Sequence, residues 1–412
     1  MGRTFRLISV SSFLLFAVMP VFAGAVTFAE IEAELLANNP ELAAGQALYR
    51  AGLERVAIEN SLENPALEYE DTLYSRAKML SVSQKFPFPG KRGLKSKAAQ
   101  AEAEALRYDY EKLKIDLLRE AKNAWAELYR INRSIEITGE QKIVLDQIAG
   151  VMEIKYATGQ VNQADLLRVQ LEIANLADSL LLLKEEKSRM EIDLNRLLNR
   201  TPQNNPFPDI ELSINLDRNL ELNELYERAR TGNPKIKLAE QELEKTKTLL
   251  ALAQKDYYPD LMAKIGYMDT PGMEDREDWR FSIMLDLPFW RKKLSAGVRS
   301  AEQEVAGMTK NKEAMTNEVL RDVGNAFLCF QTSRRRVILY RDGLLPQAGQ
   351  AFKASQINYQ TAKIDSLSLL DSQRSLLEKR LKYEAVFAKT AAAEAELEAA
   401  VGTDLESMGV KR

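Results

Sequence analysis

The side chains that ordinarily carry chemistry are scarce in this chain. Its 412 residues include no histidine and a single cysteine, Cys329. Histidine is the commonest general base near neutral pH and the commonest transition-metal ligand, so imidazole-assisted hydrolysis and zinc catalysis are excluded at the outset. There is no cysteine cluster and no glycine-rich phosphate loop, only scattered carboxylates, serines and lysines. Such groups need a concave pocket to act together, and the long helical patterns described below give them none. The expectation is a protein that is not an enzyme and holds neither cofactor nor metal. Its 12 methionines are spread along the chain without the clustering that a soft-metal relay needs. Cys329 lies in the apolar stretch Ala326-Phe327-Leu328-Cys329-Phe330 and reads as a small helix residue, not a reactive thiol.

A net charge of −3 with 28% charged residues gives no excess of either sign, so nucleic acid is not an expected partner. Arg3 and Arg6, the apolar run Leu7 to Phe22 and the small residues Ala23-Gly24-Ala25 read together as a secretory signal peptide over 1–25. No cysteine stands at the cleavage point, so no lipid anchor is expected. One cysteine in an exported chain makes no internal disulfide, and stability must come from packing or assembly. No later run reaches roughly 18 apolar residues, so the mature chain could cross a membrane only as a β-barrel.

The elements that position these residues are written twice. Asn39-Pro40 answers Asn233-Pro234, Pro65 answers Pro259, and Phe86-Pro87-Phe88 answers Leu287-Pro288-Phe289. Asn123-Ala124-Trp125 answers Asn325-Ala326-Phe327, Tyr156 answers Tyr359, and Leu166-Leu167 with Gln170 answers Leu369-Leu370 with Gln373. The offset drifts from about 194 to about 203. The predicted organisation is a first repeat over 26–200, a Pro- and Asn-rich connector over 201–218 and a second repeat over 219–412. Each repeat reads as a helix, two strands and a long helical hairpin. The strands fall at about 65–87 and 259–288, the hairpins at about 94–199 and 294–402.

In the outgoing arm Leu106, Tyr110, Leu113, Leu117, Ala124, Leu128, Ile131 and Ile135 recur at helical spacing. The returning arm carries a heptad, Leu166, Val169, Ile173, Leu176, Leu180, Leu183, Met190, Leu194 and Leu197, broken only by Lys187. The second returning arm shows a seam of Leu377, Leu381, Ala385, Ala388, Ala392, Ala395 and Ala399, small enough for close helix approach. At ~1.5 Å rise per residue an arm of about 60 residues spans roughly 90 Å, far longer than a globular domain requires.

The strands alternate. Trp279, Phe281, Ile283, Leu285 and Leu287 share one face, and Arg280, Ser282, Met284 and Asp286 the other. Leu261, Ala263, Ile265 and Tyr267, and Leu80, Val82, Gln84 and Phe86, repeat the pattern, while the strand at Leu67-Glu68-Tyr69-Glu70 is the weakest. Four strands per chain cannot close a barrel, so lipid immersion requires several chains. Phe86, Phe88, Phe289 and Trp290 fall at the helix-side strand ends and Trp279 at the opposite end, as an interfacial girdle would. The connections near Ser75-Arg76-Ala77 and Thr270 to Asp278 then face outside. Lys91, Arg92, Arg291, Lys292 and Lys293 read as a solvated basic collar below the membrane.

With these residues in place the chain resembles the TolC family of outer-membrane efflux proteins over 26–412. The resemblance rests on the duplicated unit and on the turns Lys155-Tyr156-Ala157-Thr158-Gly159-Gln160 and Asn358-Tyr359-Gln360-Thr361-Ala362-Lys363. It implies a mostly α fold with a small β part: a homotrimer whose twelve strands form a transmembrane β-barrel in outer-membrane lipid, continued by a periplasmic α-helical barrel. It further implies a periplasmic adaptor (membrane fusion) protein and an inner-membrane pump of the resistance-nodulation-division type as partners. The run Gln84-Lys85-Phe86-Pro87-Phe88-Pro89-Gly90-Lys91-Arg92 is similar to that of the branch paired with heavy-metal pumps.

The family gates at the periplasmic tip through an acidic ring. Counted from Tyr359, the resemblance places one ring acid at Asp371, and the other ring position is Ser368 in this chain. The corresponding pair in the first unit is Asp165 and Arg168, so Asp165 is a further candidate. Three copies of Asp371 around one axis would make a negative constriction. A soluble periplasmic coiled-coil scaffold or adaptor would explain the helices but not four alternating strands rimmed by aromatics.

Overall fold

A computed structural model describes residues 27–72, 77–202, 207, 210–218, 220–269, 278–361, 363–403 and 405. The signal-peptide reading over 1–25, the connection at Ser75-Arg76, the one from Thr270 to residue 277 and Ala362 of the second turn lie outside the described residues.

Where one helix is expected ahead of each strand pair, there are two. Helix α1 (Phe28–Asn38) is followed by α2 (Pro40–Asn60), and in the second unit α5 (Leu222–Gly232) is followed by α6 (Pro234–Lys255). The break is the Asn-Pro pair. Proline disfavours helical backbone at the residue before it, and Asn39 (ψ 123°) and Asn233 (ψ 125°) are extended accordingly. Each asparagine then caps the helix it precedes. Asn39 Oδ1 accepts the Glu41 and Leu42 amides at 2.9 and 3.1 Å, and Asn233 Oδ1 accepts the Lys235 amide at 2.9 Å.

Strands β1 (Ala66–Thr72), β2 (Ala77–Phe86), β3 (Asp260–Asp269) and β4 (Asp278–Asp286) make one antiparallel sheet in sequence order. Between the strand pairs lie α3 (Lys91–Ala157), 67 residues long, and α4 (Gln163–Leu197). The second hairpin follows β4. Its outgoing arm is α7 (Arg291–Leu339), a π-helical turn at Tyr340–Leu344 and α8 (Leu345–Gln360), and its return is α9 (Ser366–Val401).

A π-turn interrupts the outgoing arm of the second hairpin, and its cause is Pro346. A proline has no N–H to donate to the carbonyl four residues back, and its ring clashes with that carbonyl. The turn widens instead, so that the Leu345 amide bonds the Tyr340 carbonyl. One residue is thereby inserted. The spacing between equivalent positions of the two units grows by one residue between the pairs Trp125/Phe327 and Tyr156/Tyr359, which bracket this turn.

Two equivalent cores hold the units. In the first, Ile31 and Leu35 of α1 meet Leu117, Ala121, Trp125 and Leu128 of α3 and Leu194 and Leu197 of α4. In the second, Leu225 and Ala229 of α5 meet Val319, Val323, Phe327 and Phe330 of α7 and Leu397 and Val401 of α9. Fully burying one such side chain contributes roughly 1.5–3 kcal/mol.

The α4 heptad is buried or half-buried throughout, while its neighbours Leu181 and Leu182 are exposed. The α9 seam is likewise buried or half-buried throughout, and it is not the whole contact surface. Of the expected residues only Ala388 and Ala395 are fully buried, and a second row, Val386, Thr390, Ala393, Leu397 and Val401, is buried as well. The reason is that α9 packs on both α3 and α7, which requires two seams. Cys329 is helical but exposed, because Phe327 and Phe330 take the buried face of α7.

Candidate functional site

Two regions can serve function: the sheet and the far tip of the hairpins. In the sheet, paired residues share a face, so the register assigns every side chain. Leu67, Leu80, Tyr267 and Trp279 lie on one side with Val82, Ile265, Phe281, Ile283 and Leu285. This apolar face is open, with Trp279 and Ile283 each 69% and Phe281 80% exposed. The opposite face carries Glu68, Ser81, Ser83, Arg280 and Ser282, with Lys264 paired to Glu68. A sheet apolar on its exposed face and polar on the other is built to stand between lipid and water. Among the described residues no helix is long and apolar enough to cross a membrane, and no acidic, histidine or cysteine group could hold a metal ion.

The aromatics expected to form a girdle occupy different settings. Phe289 and Trp290 are exposed, Phe86 is partly so, and Trp279 packs edge-on against Tyr267 with ring centres 5.6 Å apart. Phe88 is half-buried and stacks on Tyr258 at 4.4 Å under the Lys255 ammonium. Lys91 departs from the expected solvated collar. It is 8% exposed, bonded to Asp256 at 3.3 Å, Asp260 at 3.0 Å and the Tyr258 carbonyl at 3.3 Å. The second unit supplies these partners, so the sequence around Lys91 gives no sign of them. Arg92, Arg291, Lys292 and Lys293 are exposed as expected.

At the tip each return helix starts on a side-chain cap. Asn162 accepts the Asp165 amide and Asp365 accepts the Ser368 amide, both at 2.9 Å. Asp165 and Ser368 are therefore equivalent first-turn positions. Asp165 pairs with Arg168 at 3.5 Å, and Asp371 is exposed on α9. Bonding from Ser368 holds the Asp365 carboxyl below its usual range.

Tyr359 is 9% exposed, in a cluster with Leu145, Met152, Val169, Leu176 and Leu369, where both hairpins meet. The Lys155 ammonium lies 4.3 Å from its ring centre, and its buried hydroxyl has no hydrogen-bond partner among the described residues. Burial, and then the Asp165 charge, push its phenol above the usual value. The cluster around Tyr359 includes Leu369 and Leu370, which lie between Ser368 and Asp371 in the sequence, while Asp371 itself is exposed.

Sequence reasoning missed the polar ties between the hairpins. Glu172 of α4 accepts two hydrogen bonds from Arg374 of α9, 2.9 Å from Nε and 2.6 Å from Nη2, and these hold its carboxyl below the usual range. Next to Arg374 in sequence, the buried Gln373 donates to Gln141 of α3 at 2.8 Å. Higher up, the Tyr129 hydroxyl donates to Glu384, 6% exposed, at 3.1 Å, with Arg133 at 3.4 Å. Burial first, then the Glu384 charge, push the Tyr129 phenol up to about 12. Only Gln373, already marked as a repeat anchor, carried a signal that could have found its site.

The outer membrane efflux protein family model matches residues 33–200 and 225–403. The cobalt-zinc-cadmium resistance protein CzcC of Cupriavidus metallidurans is 21% identical over 80% of this chain and 78% of its own length. A membrane protein from Pseudomonas aeruginosa shares the fold with TM-score 0.79 and 16% identity, over 91% of this chain and 90% of that one. The outer membrane channel MtrE of Neisseria gonorrhoeae does so with TM-score 0.77 and 16% identity, over 91% and 89%. With both units matched and an exposed apolar sheet at one end of long helical hairpins, the chain belongs to the outer membrane efflux protein family and is a channel subunit of the outer membrane that extends into the periplasm.

Proposed function

We propose that three copies close one twelve-stranded barrel, and that substrate leaves through it after a periplasmic adaptor and an inner-membrane pump of the resistance-nodulation-division type dock at the helical tip. The observation that carries this reading is the sheet: β1 and β4 are each paired on one side only, and the exposed face is apolar. An open edge in lipid leaves backbone groups without partners, so each β4 must meet the β1 of a neighbouring copy. Cysteines placed in β1 and β4 of a Cys329→Ser chain should oxidise to covalent trimers. A product that stops at dimers would overturn the closure.

In the closed assembly Asp371 supplies one acidic ring at the tip. Ser368 stands where a second would be, Asp165 is the first-unit candidate, and Tyr359 ties the second hairpin to the first through Lys155 and the shared apolar cluster. The likeness to CzcC, together with the run from Gln84 to Arg92, supports divalent heavy-metal cations as cargo. The absence of histidine fits passive passage without coordination on the way.

A further inference from the structure

The apolar sheet face ends on its helical side in a crevice. Phe86, Leu261 and Leu285 form one rung across β2, β3 and β4, and all three line a cavity of about 770 Å³ together with Pro87, Pro259 and Arg92. Arg92 is its only charged lining residue. Its neighbour Lys91 is neutralised by Asp256 and Asp260, whereas Arg92 is exposed and makes no ion pair among the described residues. A second cavity of about 460 Å³ shares Pro87 and Arg92 and adds Lys95, Glu59 and Glu63.

We propose that this crevice seats one glycerophospholipid per chain, from the leaflet on the helical side, with its phosphate at Arg92 and its acyl chains against the Phe86–Leu261–Leu285 rung. Continuity carries the apolar half of the argument. The rung is the last step of the exposed apolar face of a chain that belongs in the outer membrane, so hydrocarbon already reaches it. Charge complementarity carries the polar half. A guanidinium without a carboxylate partner, at the level where hydrocarbon gives way to water, matches a phosphate fork. Glu59 and Glu63 line the second cavity with Arg92 and Lys95 and repel a doubly charged anion more than a singly charged one, which favours the phosphodiester over free phosphate. The proposal rests on the outer-membrane placement, not on the trimer or its gate.

The test is native mass spectrometry of the full mature protein, taken from outer membranes in mild detergent, stripped of lipid and titrated with phosphatidylglycerol or with diacylglycerol of the same chains. One saturable phosphatidylglycerol per chain is expected, with diacylglycerol about ten-fold weaker, the loss of one charge-assisted contact. Arg92→Gln should lose that preference, and Lys292→Gln, at an exposed cation outside the cavity, should keep it. Equal binding of the two lipids by the wild type would overturn the proposal with no variant involved, as would an Arg92→Gln chain that still prefers phosphatidylglycerol, or a Lys292→Gln chain that loses the preference equally. A protein that binds no second copy of itself yet shows the preference would count against the trimer alone.

Discussion

The Glu172 carboxylate and the Arg374 guanidinium face each other as a two-pronged pair, 2.9 and 2.6 Å, linking the returning arms of the two hairpins near the tip. These two arms otherwise scarcely touch, so the pair is the main tie between α4 and α9, beside the packing of α9 along α3 that includes the Gln373–Gln141 bond. Arg374 is largely exposed, which screens the pair and leaves a stabilisation of about 1 kcal/mol. Arg374→Gln should loosen the tip and raise single-channel conductance severalfold in planar bilayers, with assembly intact.

The same pair fixes a pH response. Bonding to Arg374 depresses the Glu172 carboxyl in the folded state. A depressed carboxyl contributes stability that is complete above its unfolded value of about 4.3 and is lost as pH falls through the lower folded value. Wild-type conductance should therefore rise below about pH 4, and Arg374→Gln should flatten that rise.

Tyr129 gives a response of opposite sign. With its phenol pushed up to about 12, it contributes stability that is complete below about 10 and lost as pH rises through the folded value. Ultraviolet titration should show one late-ionising tyrosine fewer in Tyr129→Phe than in the wild type, with Tyr359 still ionising late in both. That variant should cost about 1 kcal/mol, the net value of a buried hydrogen bond.

Asn39 and Asn233 do more than cap. The Nδ2 of Asn39 donates to the Leu197 carbonyl at 2.9 Å and that of Asn233 to the Ala400 carbonyl at 2.7 Å, so each ties the first turn of a helix to the end of the returning arm of its unit. Asn39→Ala should lower stability by about 1–2 kcal/mol. Asn39→Asp keeps the cap acceptor but loses the donor, so thermal denaturation should show it failing to rescue.

The π-turn predicts an asymmetry between the arms. Deleting Gly343 in a Pro346→Ala background should restore a regular helix and leave the melting temperature within a few degrees of wild type. Deleting Gly139 from α3, where no residue is in excess, should shift every later contact and abolish assembly on native gels.

What the sequence revealed and what it hid follow one rule. The duplication, the alternating strands and the α4 heptad were legible because their signal repeats within a short window. Lys91 was misread because Asp256 and Asp260 come from the other unit. The second buried row of α9 stayed hidden because a helix packed on two sides mixes two periods. Glu172 and Arg374 looked like any solvated charges, and only the approach of the two hairpins sets them apart. Pro346 was visible, but the one-residue insertion it causes shows only when the two units are compared position by position.

The central claim is that this chain assembles into an outer-membrane channel. The most direct measurement is the native mass and bilayer conductance of the mature protein extracted from outer membranes in mild detergent. A trimer that conducts ions, and conducts more with Asp371→Ala, is the predicted result. A periplasmic monomer or dimer with no conductance would contradict it.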